Sequence, residues 1–163
     1  MKDQNSNQEP CCPKFNPELW DEKTHIWQDK LFIQDEVKQL FHMPLNMSKV
    51  ISRMWKKVQD AGAATSMEEF LMLAYDPSPW KSEIYINVTK EVPDAKNVKL
   101  SGTHISKVFD GPYNAVPIWI KVMDQFLASK QKKLKKYYFY FTTCPKCAKI
   151  YGKNYVVAFA EVE

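Results

Sequence analysis

A chain of 163 residues with 45% apolar and 26% charged residues is one domain with a full-sized core, and that composition excludes a low-complexity protein. The formal charge of +4 is mild; five lysines crowd positions 130–136 and Arg53 is the one arginine, a pattern without the arginine–aromatic interleaving of a nucleic-acid surface. Residues 1–10 are polar and carry no leader-like apolar core, and no run approaches the ~20 apolar residues of a membrane span. The chain therefore reads as cytoplasmic, with neither membrane nor nucleic acid as partner.

Residues 1–10 have the composition of a disordered tail, and a single domain is expected over 11–163. Next comes an irregular arm bearing Phe15 and Trp20. Apolar residues at period-two spacing (Ile33, Val37, Phe41) predict a first strand over 31–41, with His25-Ile26-Trp27 ahead of it. Met47, Val50, Ile51, Met54 and Val58 recur at helical spacing, which predicts a helix over 47–61 capped by Asn46 or Ser48 and ended by Gly62. Strands follow over 69–75 and 81–89, separated by the two prolines of Asp76-Pro77-Ser78-Pro79-Trp80. In the second of them Glu83 and Tyr85 share one face, and Ile84 and Ile86 share the other.

The second half repeats the plan. It has a strand over 98–109, a helix over 114–130 with Pro117 in its first turn, and a strand over 136–142. Tyr138 and Tyr140 share one face of that strand. An irregular excursion over 144–153 precedes a last strand over 154–162. The match is in register: Phe41 with Phe109, Pro44 with Pro112, Asn46 with Asn114 and Pro77 with Pro145 are each 68 residues apart. Two copies make a pseudo-symmetric domain rather than a solenoid. The fold class is α+β: two β-α-β-β repeats, about 24–92 and 97–163, with a mainly antiparallel sheet and two helices.

A strand ending in Phe109-Asp110-Gly111-Pro112-Tyr113, followed by a helix and two strands with the whole unit doubled, resembles the GyrI-like small-molecule-binding domains. These also serve as effector-binding halves of bacterial multidrug-responsive regulators. The resemblance spans about 24–162. It implies a pseudo-twofold with an aromatic cleft between the repeats, and it is similar to stand-alone members that hydrolyse cyclopropane-bearing electrophilic toxins. In those members a glutamate on the penultimate strand is the general base. Tyr140 stands near that position here, so the base does not carry over at that residue. With no helix-turn-helix pattern in front of the domain, the chain is not expected to act as a DNA-binding regulator by itself.

The composition supplies 5 Trp, 8 Tyr and 9 Phe, more than a core of this size needs. The cleft is therefore expected to gather Phe41, Trp80, Tyr85, Phe109, Tyr113, Trp119, Tyr138 and Tyr140, whose ring faces bind flat hydrophobic or cationic aromatic molecules. Core packing is the plainer role for each, above all Trp119. Glu83 is the candidate acid. Burial would raise its pKa toward that of a general base, with Tyr140 assisting; a strand carboxylate paired with a lysine is the alternative. Cys144 and Cys147 have C-x-x-C spacing, and with Cys11 and Cys12 they form a candidate structural zinc set. Reduced buried thiols are the competing reading. No cofactor is required. The leading function is binding, with hydrolysis or sequestration, of a hydrophobic aromatic small molecule. The rival is a protein-binding inhibitor, of the kind that masks DNA gyrase or another partner.

Overall fold

The computed structural model describes residues 15–143 and 145–163, with the side chains of Tyr113, Pro145 and Lys146 left aside. After a short 3-10 turn at Pro17–Leu19 come β1 (Lys23–Leu40), β2 (Met43–Pro44), α1 (Met47–Asp60), β3 (Met72–Ser78) and β4 (Lys81–Asn87). The second half holds β5 (Lys96–Asp110), α2 (Val116–Ser129), β6 (Leu134–Phe141), α3 (Pro145–Tyr151) and β7 (Tyr155–Val162). Apart from β2 and α3, both halves run β-α-β-β, as the repeat predicts.

The sheet order β1-β4-β3-β6-β7-β5 closes because β5 pairs again with β1. All of these ladders are antiparallel. The result is a six-stranded barrel with two unequal seams. β1 and β5 are joined along most of their length, from Lys23 opposite Ser106 to Gln34 opposite Lys96. β3 and β6 meet where Ala74 faces Phe139. The alternation of side chains across each strand then divides the core in three. Ile33, Val37, Ile84 and Ile86 face outward under α1, against Val50, Met54 and Val58. Ile105, Ala158, Ala160 and Val162 face outward under α2, against Met123 and Leu127. Phe32, Leu73, Tyr85, Tyr138, Tyr140, Val157 and Phe159 face inward and fill the barrel.

Met54 is almost wholly buried beneath α1, so Met54→Ala is expected to lower stability by about 2–5 kcal/mol through the cavity it leaves. Urea unfolding followed by circular dichroism measures this directly.

Four local features depart from the sequence reading. Asn46 does not cap α1; its Oδ1 accepts from the Lys38 N–H at 2.9 Å and ties the helix start to β1 instead. β3 runs through Pro77, because a register shift between Tyr75 and Ser78 absorbs the missing donor. β1 begins at Lys23 and crosses Asp29 (φ 50°) by a bulge between Trp27 and Lys30. The stretch expected to be irregular carries a third helix, α3, with Pro145 at its start and Gly152 (φ 67°) just beyond its end, the asymmetry that favours a short helix.

Candidate functional site

The residues facing into the barrel form one aromatic column with two different ends. Along β6 the inward positions are Lys136, Tyr138 and Tyr140, in steps of two. Tyr138 is 1% exposed and separates the ends. Its ring lies 5.8 Å from Tyr85 and 5.8 Å from Tyr75.

At the Tyr140 end lies a cavity of about 230 Å³, walled by Phe15, Leu19, Trp20, Met67, Phe70 and Tyr140, with Glu68 and Thr142 supplying polar groups. Phe15 and Phe70 stand edge-on to Tyr140 at 6.4 and 6.2 Å. Three of these walls, Phe15, Leu19 and Trp20, come from the arm that precedes β1. It is seated by a buried hydrogen-bond chain: Ser106 Oγ donates to the Trp20 carbonyl at 2.6 Å, so His25 Nε2, 2.8 Å away, donates to Ser106. Asp21 also accepts the Val108 N–H at 3.1 Å. With its proton committed to a carbonyl, Ser106 is a clamp and not a nucleophile.

On β4, the Tyr85 hydroxyl donates to Glu83 at 2.7 Å. Lys81 is 3.9 Å from the other carboxylate oxygen, and the Glu83 side chain is 18% exposed. Burial holds the Tyr85 phenol well above its ordinary pKa, and the bond to Glu83 adds to this. Burial likewise raises Tyr138, helped by the charges of Glu161 and Glu83. Both phenols therefore stay protonated, and that of Tyr85 donates to Glu83. Glu83 has the lysine neighbour that its strand position allows, together with a tyrosine donor. The row from Tyr85 through Leu73 to Tyr140 spans two strand spacings, about 10 Å, so the tyrosine that holds Glu83 stands two strands round the barrel from Tyr140.

The remaining candidates divide as follows. Tyr85, Tyr138 and Tyr140 share the inner cluster. Phe109 lies beneath α2 and stacks at 5.5 Å on Trp119 of that helix, which is buried. Phe41 and Trp80 meet at 5.0 Å on the outer surface, 71% and 53% exposed. The side chain of Tyr113 lies outside the described residues, as do Cys11, Cys12 and Cys144. Cys147 is buried on α3, and no cluster of three or more metal-ligating side chains occurs among the described residues. No helix among them is long and apolar enough to cross a membrane.

Sequence reasoning did not assign the arm, Phe70, Tyr75 or Lys136 to a site. Lys136 was legible: extending the Tyr140–Tyr138 alternation by one step reaches it, although it also ends a lysine run. A larger cavity, about 300 Å³, opens where β1 leaves β5, between Asp35, Lys57 and Lys96. It has no aromatic wall.

Two β-α-β-β units closed into one barrel around an aromatic interior are the GyrI-like fold. The chain belongs to the bacterial hydrolase family, whose model matches residues 2–162. Solved structures share the architecture at low identity. The C-terminal domain of EcmrR has a TM-score of 0.67 at 11% identity, over 89% of this chain and 98% of that one. A conserved protein from Listeria innocua gives 0.65 at 11%, over 88% and 93%. A hydrolase from Listeria innocua gives 0.62 at 9%, over 88% and 92%. No curated protein matches the sequence at a significant level.

Proposed function

We propose that this protein binds a hydrophobic aromatic small molecule in the cavity beside Tyr140. The observation that carries this is the lining: Phe15, Trp20, Phe70 and Tyr140 wall one cavity, with Phe15 and Phe70 edge-on to Tyr140. A space of about 230 Å³ suits a molecule of one or two rings, and area burial with ring contacts supplies the affinity. Titrating planar hydrophobic cations and neutral electrophiles against intrinsic tryptophan fluorescence tests it, since Trp20 is a wall. Saturable quenching is expected, and Tyr140→Ala weakens the best ligand by about tenfold or more. A panel with no saturable member overturns the proposal.

Membership of a hydrolase family adds turnover of electrophilic ligands to this proposal. A general base must reach its proton directly or through one water. Glu68 is the carboxylate lining the cavity, whereas Glu83 is bonded to Tyr85 and is not part of that lining. Product analysis with a cyclopropane-bearing electrophile is the assay. Glu68→Gln is expected to slow turnover more than Glu83→Gln, and the reverse order returns the chemistry to Glu83.

A second reading, an inhibitor that docks on another protein, draws on the outer surface. Leu40, Phe41, Met43, Leu45 and Trp80 are each at least half exposed around the β1–β2 hairpin, an apolar patch of the kind found at interfaces. Phe41→Asp should then abolish capture of a partner while leaving small-molecule binding intact.

A further inference from the structure

The barrel end opposite the cavity holds an aromatic cage that is already filled by a side chain of the same protein. Lys136 Nζ sits 4.5 Å from the centroid of Tyr75 and 5.0 Å from that of Tyr138. Both rings thus offer their negative faces to one ammonium.

The backbone directs it there. Leu134 and Lys136 are two apart and would share a face in a regular strand. A register shift between them leaves Leu134 opposite Val162, packed under α2, and sets Lys136 opposite Glu161. Re-aiming one side chain is what a bulge in a strand does.

The surroundings favour positive charge. Glu161 is the cross-strand neighbour of Lys136. Glu83, bonded to Tyr85, borders Tyr138 from the other side. Even so, Lys136 is in no ion pair among the described residues. Its nitrogen is held by ring faces rather than by a fixed carboxylate contact, and its four-carbon stem is free to swing into solvent.

We propose that this end of the barrel is an alkylammonium-binding cage in which Lys136 is a tethered, displaceable occupant. A primary or quaternary ammonium ligand enters by replacing the lysine. The tether sets a threshold, so that only cations bringing apolar area of their own compete well. The site is separate from the cavity beside Tyr140, and it stands or falls independently of ligand binding there.

Chemical rescue tests it. The probe is n-butylammonium, which reproduces the missing stem and charge, with n-butanol as the uncharged control. Isothermal titration of Lys136→Ala is expected to show saturable butylammonium binding at least tenfold tighter than to the wild type, with no comparable gain for butanol. Adding Tyr75→Leu to that variant is expected to remove the gain. Lys136→Gln, which keeps a polar side chain on the surface, should behave like Lys136→Ala and covers the case in which alanine unsettles the fold. Equal butylammonium affinity for wild type and both variants overturns the proposal. So does a matching gain for butanol, which would mark simple filling of space.

Discussion

Replacing Phe159 by alanine is expected to cost about 3–5 kcal/mol of unfolding free energy, the range for a large buried aromatic. The ring has no exposed surface and packs against three aromatic side chains at once. Its centroid is 5.9 Å from Trp20 in the arm, and 5.6 and 5.9 Å from His25 and Trp27 on β1. These neighbours are rigid planes fixed by strands or by the Ser106 clamp, so the void cannot collapse cheaply. Against a typical total of about 5–15 kcal/mol, such a loss leaves a marginal fold. Phe159→Leu keeps most of the volume and should cost less than half as much. Urea titration at constant pH reads both variants, and a loss below about 1 kcal/mol for the alanine variant would refute the packing argument. Trp20 leans on this ring and walls the cavity, so the same substitution should also weaken ligand binding.

How much of this was legible in the sequence depends on the range of the interaction. The doubled β-α-β-β plan was, because period-two and period-3.6 patterns are local and Pro and Gly punctuate them. Tyr138 and Tyr140 were placed on the inward face for the same reason. Phe41 and Phe109 show where locality fails. They occupy equivalent repeat positions, but Phe109 stacks on Trp119 under α2 while Phe41 sits in a two-residue turn at φ 50° and faces solvent. The turn geometry of the first copy, not residue type, put it outside. α3 was hidden because a seven-residue helix has too few turns to show a stripe. The spacing between Glu83 and Tyr140 was not legible, because a shared inward direction says nothing about how many strands lie between; here β3 stands between β4 and β6. Lys136 follows from the Tyr140–Tyr138 alternation, whereas Leu134 does not, since the bulge between them reverses the face that simple alternation assigns to Leu134. The Gly111 stretch, the strongest motif in the chain, is architectural: Asn154 Nδ2 donates to the Gly111 carbonyl at 2.6 Å and pins the turn to the start of β7.

Acidification from about pH 8 to about pH 5.5 is expected to destabilise the protein through His25 and His104. Both imidazoles are held below the ordinary value of 6.5, chiefly by burial. The charges of His104 and Lys30 lower His25 further. For His104, Glu161 and the Gly102 carbonyl pull the other way, and Lys136 opposes them. The sign follows from proton counting. Below 6.5 the unfolded chain takes up protons that the folded chain refuses, so stability is complete above 6.5 and is lost as pH falls toward the depressed folded values. The two residues are direct cross-strand partners, and like charges placed opposite each other repel, so the second protonation is harder than the first. Urea midpoints at the two pH values measure the effect, and His25→Gln combined with His104→Gln should flatten the difference by more than half. An unchanged wild-type midpoint contradicts it. The consequence reaches the cavity, because repulsion between the two charged imidazoles displaces His25, whose ring packs 5.5 Å from Trp20, and Trp20 is the wall. A ligand that needs that wall should bind more weakly in acid, and this acid dependence should disappear in the double variant.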